Sequence, residues 1–432
     1  MDWKDSEYTG WGRALRATGQ LARPETRDAL ARLEAAPAFG MRRSYGDAAL
    51  NSDGRAVDMS ALDRMIAFDP ETGDLQIEAG ARIGDVARAF APRGWLPPVM
   101  PGTGFATIGG CIAQDVHGKN HHHIGSFGQH IRQLTLLQNG AERIVKPGSA
   151  LFRATLGGLG QTGVILRATL RLQRCKGDVM LVTERRAPDW ERHLGLLDAS
   201  RASYTVGWID ATATGAALGR GIVEEGETVA GLVRPRAKPR KIPFDAPHWA
   251  LAPPVVRAFN RAYYHRVPRQ GRSLVRRLED FFFPLDKLHD WNRLYGKRGF
   301  HQFQCVVPLA AADALRAMLA EIAGSGLASP LAVLKRMGPG RAGDLSFPME
   351  GYTLAIDFPN RTEARALIHR LETRTLEAGG RIYLAKDSLA SAAQIRAMYP
   401  DLPQWQSIVA KADPAGALET DMTRRLNLRS EI

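Results

Sequence analysis

Apolar residues in the first part of the chain recur at two different intervals. At 57–59 and 75–79 they form short runs of strand length, and at 133–138 and 164–172 they alternate with polar residues, the period-two signature of a strand with one buried face. In the last run Val164, Leu166, Ala168, Leu170 and Leu172 are expected to face one way, with Arg167, Thr169 and Arg171 facing the other. Ile83, Val86, Ala87 and Phe90 are instead spaced by three and four, which predicts a helix over 83–92.

The pattern changes after residue 300. Strands are predicted at 301–307, 331–337, 352–358 and 381–386, and helices at 311–323 and 362–378. The order βαββαβ is ferredoxin-like, an antiparallel sheet with helices on one face, suited to lie over a site in the preceding domain. No internal repeat of fixed period is visible. The fold class is therefore α+β, with a first domain at 1–180, a second at 181–380, and 381–432 returning to the first.

Composition narrows the class. With 432 residues, 44% of them hydrophobic and 24% charged, the chain exceeds one ordinary core and is not disordered. No apolar run approaches the ~18 residues of a membrane span, and residues 1–12 carry Asp2, Asp5 and Glu7 without an apolar core, so no secretory leader is expected. Cys111, Cys175 and Cys305 form no CxxC pair and read as reduced thiols. The net charge of +13 is concentrated: residues 234–277 hold twelve Lys or Arg against the single acid Asp245, and seven of the 25 prolines. A proline-broken basic stretch predicts a mobile insertion with affinity for an anionic surface.

Three glycine-rich segments carry candidate chemistry. Gly158, Gly160 and Gly163 match GxGxxG, but a strand follows them where the dinucleotide fingerprint needs a helix. A denser cluster runs through Gly102-Thr103-Gly104, Thr107-Ile108-Gly109-Gly110 and Asp115-Val116-His117-Gly118-Lys119-Asn120, and a third is Arg43-Ser44-Tyr45-Gly46-Asp47. Open backbone N–H groups with threonine hydroxyls suit a pyrophosphate, so a nucleotide cofactor is expected. Five of the eleven histidines lie at 117–130, yet three in succession cannot all face one ion, and no metal site is expected. Neither GxxxxGK[ST] nor GxSxG occurs.

These segments resemble the PCMH-type FAD-binding domain of the vanillyl-alcohol-oxidase flavoprotein superfamily and, more narrowly, its decaprenylphosphoryl-β-D-ribose oxidase family. The resemblance extends through Phe283-Pro284-Leu285-Asp286, Leu345-Ser346-Phe347-Pro348, Ala385-Lys386-Asp387-Ser388 and Arg424-Arg425-Leu426. It implies non-covalent FAD held by 38–48 (Arg43, Ser44, Tyr45, Gly46 and Asp47 among them), by Gly102, Thr103, Thr107, Ile108, Gly109 and Gly110, by Gln114, Asp115, Val116 and His117, and by Ile165 and Tyr383. Lys386, His117 and Tyr45 become catalytic candidates, and Lys119, Trp208, Gln302, Gln304 and Lys335 substrate-pocket residues. The sequence departs from the family at Ala355 (cysteine in several members), Thr353 (asparagine), Phe282 (tyrosine) and Met337 (phenylalanine).

The activity implied is oxidation of the 2-hydroxyl of a polyprenyl-phosphoryl-β-D-ribofuranose to the 2-keto sugar. An NAD(P)H-dependent short-chain reductase would complete the 2′-epimerisation to an arabinose donor for the cell envelope. Such a protein is expected in the cytoplasm, peripheral to the membrane, or at its periplasmic face, and without a nucleic-acid partner. The competing readings are a soluble alditol or aldonolactone oxidase of the same superfamily, and a non-catalytic polyanion binder suggested by the pI near 9.9, for which no reader motif is visible.

Overall fold

Two large sheets organise the chain in the computed structural model, which describes residues 3–231, 233 and 239–430. The first domain opens with a small mixed sheet of β1 (Lys4–Thr9), β2 (Arg16–Ala22), β3 (Ala38–Phe39) and β4 (Arg55–Asp58). An antiparallel sheet follows, built from β5 (Met65–Phe68), β6 (Asp74–Glu78), β7 (Ile131–Gln138), β8 (Ala141–Val145) and β9 (Val164–Arg171) in the order β5-β6-β9-β7-β8. Helix α1 (Ile83–Phe90) buries Ile83, Val86, Ala87 and Phe90, as their spacing predicts. It stops short of residue 92 because Pro92 has no N–H to continue the ladder, and a 3₁₀ turn leads to Gly94 at φ 79°. Helix α2 (Ile108–Ala113) is capped by Thr107, whose Oγ1 accepts from Gly110 N.

The alternation in β9 is broken by a bulge. Pairing with β7 shifts register between Ile165 and Arg167, and an extra residue reverses the side-chain faces beyond it. Val164 and Leu166 therefore pack on Leu30, Val57 and Leu62, while Ala168, Leu170 and Leu172 join Ile165 in the main core of this domain. The expected single face is two faces.

The second sheet has eight strands: β10 (Val179–Ala187), β11 (Tyr204–Ile209), β12 (Gly221–Val229), β13 (Arg272–Arg277), β14 (Phe300–Val307), β15 (Ala332–Met337), β16 (Gly351–Pro359) and β17 (Arg381–Ile382), ordered β13-β10-β12-β11-β15-β16-β14-β17. Each half has the strand order 4-1-3-2, and the halves meet through β11 and β15. The expected βαββαβ unit is the second half, with α5 (Ala312–Ser325) and α6 (Thr362–Glu377) as its helices. The first half repeats the strand order without a repeat in sequence.

This repeat corrects the expectation of a mobile insertion. Residues 234–238 lie outside the described residues, but 253–277 supply α4 (Pro253–His265) and β13, which pairs with β10 along its length. Three of the arginines there are not free: Arg266, Arg272 and Arg276 all reach the fully buried Glu184.

Helices α3 (Trp190–Ala199), α5 and α6 cover one face of the sheet through Leu196, Leu197, Leu315, Leu319, Leu367 and Leu371. Helix α4 takes the other face, packing Tyr264 and Tyr263 on Ile222 and Trp208. Beyond β17 the chain contacts segments that precede the eight-stranded sheet: Trp405, in α7 (Leu402–Ala412), donates its Nε1–H to Ala154 O, and Asp421 N, opening α8 (Asp421–Arg425), bonds Leu50 O.

Candidate active site

The loops after β3, before α2 and after α2 converge, and glycine is what lets them do so. A Cβ on Gly40 would lie 2.2 Å from Thr107 Oγ1, one on Gly46 1.9 Å from Asp387 O, and one on Gly109 3.0 Å from Ala79 Cβ. Gly102, by contrast, faces open space. Main chain stitches the loops together, with Tyr45 N donating to Ala385 O and Gly109 N to Ala79 O. Arg42 and Asp115 adopt left-handed backbone (φ 48° and 39°), which side chains other than glycine tolerate only when the surroundings hold them there.

Several side chains expected at the cofactor are spent on that scaffold. The buried Asp115 carboxylate accepts from Gly128 N, Ala342 N and Ser346 Oγ. Thr103 Oγ1 donates to Asp286, which also receives Gly104 N. Asp47 pairs with Arg425, and the same guanidinium reaches Asp387 at 2.8 Å. Arg43 is sandwiched between the rings of Trp11 and Phe105, 3.9 and 4.7 Å from their centroids, and burial lowers its pKa to about 10. The N–H groups of Tyr45, Ile108, Gly109 and Gly110 are likewise spent, on Ala385 O, Ala81 O, Ala79 O and Thr107 Oγ1, and Gly102 is where the loops stay open. Val116 and Ile165 are buried.

Opposite these loops lies the face of the second sheet that α5 and α6 do not cover. Alternation along β14 sends Phe303, Cys305 and Val307 into the helix-side core, leaving Gln302 and Gln304 on this face. Register places Gln302 beside Asp357 and Gln304 beside Ala355. Ala355 neighbours Val333, which pairs with Trp208, and Lys335 pairs with Thr353. The expected substrate-pocket residues thus fall on adjacent rows of one surface.

Lys386 completes it. The strand expected to run to residue 386 ends at Ile382, and a turn closed by Lys386 N and Asp387 N on Tyr383 O carries the lysine out of the sheet. Its Nζ lies 3.6 Å from the centroid of the Tyr45 ring, and burial lowers its pKa to about 7 against the opposing pull of Asp357. Burial likewise brings Lys335 to about 7, with Lys119 and Lys386 adding repulsion. Lys119 sits 4.0 Å over the Phe281 ring and donates to Phe281 O; burial brings it to about 8.

His117 joins the two surfaces. Gln304 Nε2 donates to its Nε2 at 3.1 Å, so the proton of the neutral ring is on Nδ1, which is buried without a protein partner. Burial holds the imidazole well below its ordinary pKa, with Lys335 adding to the effect. Tyr383 packs against it at 5.2 Å and donates its hydroxyl to Gln114 O. The neighbouring histidines serve the main chain: His121 bridges Gly340 O and Gly338 N, and His130 contacts Ile124 O.

Sequence reasoning missed Asp357, Tyr295, Phe347 and Arg425. Asp357 had a signal, as the only acid in the otherwise apolar strand β16. Phe347, stacked on Tyr383 at 4.5 Å, and Arg425 lie in segments that carry the resemblance, but only the fold brings them near the site.

The arrangement brings onto one surface glycine-rich loops, an imidazole with an unpartnered Nδ1, and lysines whose pKa burial lowers. Residues 27–146 match a family model described as an FAD binding domain. Decaprenylphosphoryl-β-D-ribose oxidase of Mycolicibacterium smegmatis is 36% identical over 97% of this chain and 97% of its own. A Streptomyces coelicolor protein of uncharacterised function is 34% identical over 79% of this chain and 99% of its own. D-arabinono-1,4-lactone oxidase of Yarrowia lipolytica is 30% identical but over only 27% of this chain and 23% of its own. The likeness to the lactone oxidase is thus partial, that to the ribose oxidase end to end, and the chain belongs to the decaprenylphosphoryl-β-D-ribose oxidase family of FAD-dependent oxidoreductases.

Proposed function

We propose that this protein oxidises the 2-hydroxyl of a polyprenyl-phosphoryl-β-D-ribofuranose to the 2-keto sugar. The observation that carries the reading is Lys386, held over Tyr45 at a pKa of about 7 on a buried face with Gln302, Gln304 and Lys335. FAD, bound non-covalently along 43–47, 102–103, 107–110 and 114–117 with Ile165 and Tyr383, supplies a hydride acceptor. The unpartnered Nδ1–H of His117 suits a hydrogen bond to that cofactor. Neutral Lys386 takes the proton of the substrate hydroxyl, a role its lowered pKa permits at neutral pH. Tyr45 holds its ammonium form by cation–π contact. Lys335 and Lys119 supply positive charge for the phosphodiester, and Trp208, its Nε1 tied to Pro330 O, closes that side.

The substrate's lipid places the enzyme at a membrane surface. No helix among the described residues is long and apolar enough to cross one. On α4 and the turn before it, Trp249 and Phe259 are 70% and 51% exposed, beside exposed Arg257 and Arg261. Aromatic side chains sit well at headgroup depth, and each arginine near anionic lipid adds about 1 kcal/mol. Phe259 stacks on Tyr263, which packs on Trp208, so this surface adjoins the pocket. A short-chain reductase then acts on the released ketone.

The test is anaerobic addition of farnesyl-phosphoryl-β-D-ribofuranose to the yellow protein. Bleaching of the flavin band by this compound and not by free ribose or aldonolactones is expected. Bleaching by free sugars alone overturns the lipid-linked assignment, and flavin that stays with the denatured chain overturns non-covalent binding.

A further inference from the structure

Beneath Lys386 runs a buried chain of polar groups that the proposed reaction does not itself require. The Tyr45 and Tyr295 rings both pack on Phe300, at 5.4 and 4.0 Å, the Gln302 amide donates to Asp357 Oδ1, and Asp357 Oδ2 accepts from the Tyr295 hydroxyl at 3.1 Å. Tyr295 in turn pairs with Ser329 Oγ at 2.8 Å. The Asp357 side chain is wholly buried, and no arginine, lysine or histidine is within hydrogen-bond or ion-pair distance of it among the described residues. A buried carboxylate held only by an amide and a phenol is costly to ionise. Two other buried carboxylates in the surroundings of this surface, Asp387 and Asp47, are by contrast clamped by the guanidinium of Arg425.

We propose that Asp357 is a positioning residue that sets the protonation state of Lys386, acting from beneath the Tyr45–Gln302 layer on which the lysine rests. The proposal rests on the reading of Lys386 given above. The charged and titratable groups facing Lys386 are few. Tyr45 lies directly under it, Lys335 and His117 are close enough to feel its charge as repulsion, and Asp357 pulls the other way. Asp387, its neighbour in sequence, is turned away and held by Arg425. Asp357 is therefore the one anion with a hold on the lysine that is not already committed to a guanidinium. Together they can carry one proton between them, so the site keeps an acceptor without stranding a bare charge in the interior.

The test uses the FAD-loaded Asp357→Asn protein and two readouts. One is the pH dependence of anaerobic flavin bleaching by farnesyl-phosphoryl-β-D-ribofuranose. The other is the pH dependence of Lys386 carbamylation by cyanate, read by peptide mass, which reports the neutral amine without any turnover. Removing the anion lowers the lysine's affinity for its proton. Both midpoints are expected to fall by about one pH unit or more, tenfold in the ionisation equilibrium, with the FAD content unchanged. Tyr295→Phe, which withdraws one hydrogen bond from the carboxylate, is expected to move them the same way by less, and it decides the matter if Asp357→Asn does not fold. Midpoints that stay at the wild-type pH overturn the proposal. A wild-type protein that does not bleach would instead overturn the functional reading, while the cyanate profile still tests this one.

Discussion

The two halves of the eight-stranded sheet share a strand order but treat buried carboxylates oppositely. In the first half Glu184 on β10 and Glu224 on β12 stand side by side, and Arg266, Arg272 and Arg276 close over them. The arginine hydrogen bonds outweigh desolvation and hold Glu184 near a pKa of about 2. In the second half Asp357 has no such partner, and burial raises it to about 7. Complete pairing leaves a carboxylate ionised and inert at all working pH. Incomplete pairing beside the half-buried Lys386 is the basis of the proton sharing proposed above. One half of the sheet is thus a frame, and the other carries the proposed reaction surface.

The sharpest way to break this comparison is to remove the lysine. Lys386→Ala is expected to keep FAD and its thermal stability while substrate-driven bleaching falls at least 100-fold, about 2.7 kcal/mol of barrier. A rate within about tenfold of wild type would strip Lys386 of a central role. Glu184→Gln should do the reverse. It leaves three part-exposed arginines facing one another, a loss of about 2–4 kcal/mol and a Tm lower by roughly 5–10 °C, with bleaching per bound FAD unchanged. Because the folded state holds Glu184 below its unfolded pKa, that contribution is full above about pH 4.5 and is lost as pH falls toward 2. Thermal melts at pH 7 and pH 3 should therefore converge between variant and wild type at the lower pH.

The outward side of the first half is tested at a membrane. The double variant Trp249→Ser, Phe259→Ser should lose roughly tenfold or more of its sedimentation with anionic liposomes, and high salt should release the wild type. Equal, negligible sedimentation of both would remove the membrane from the proposal. The smallest expected effect concerns a third carboxyl, Glu372 on α6, which burial lifts to about 9. Its folded pKa lies above its unfolded one, so the stability it contributes is present below about pH 4.5 and declines as pH rises toward 9. Glu372→Gln should leave Tm little changed at pH 5 and raise it by a few degrees at pH 8; equal shifts at both values would show that the carboxyl does not titrate in that window.

Much of this is legible in the sequence alone. Period-two and 3.6 patterns located α1, α5, α6 and the strands β14 to β16 closely, the helices because each buries one face, and the strands although β14 and β16 are buried on both. The glycine segments at 43–47 and 102–118 announced a nucleotide, since only a side-chain-free backbone allows loops to approach so closely. Three features were not legible. The bulge in β9 costs one residue and leaves no mark on composition. The basic segment looked like an arm because its counter-charges, Glu184 and Glu224, lie tens of residues away in sequence. The repeated strand order of the second sheet has no counterpart in residue identity.

The sequence by itself determined many of the elements, the cofactor class and the candidate residues for the site, for these depend on local periodicity and on short motifs with a chemical reason for their spacing. Only the tertiary structure decided what each of those residues does. Whether Asp115 meets a ligand or three protein donors, whether Lys386 is a surface ammonium or a buried amine near neutrality, and whether Asp357 has an arginine beside it all turn on burial and on contacts between distant segments. A pKa is set by the neighbours within a few ångströms, and the neighbours of a buried group are chosen by the fold.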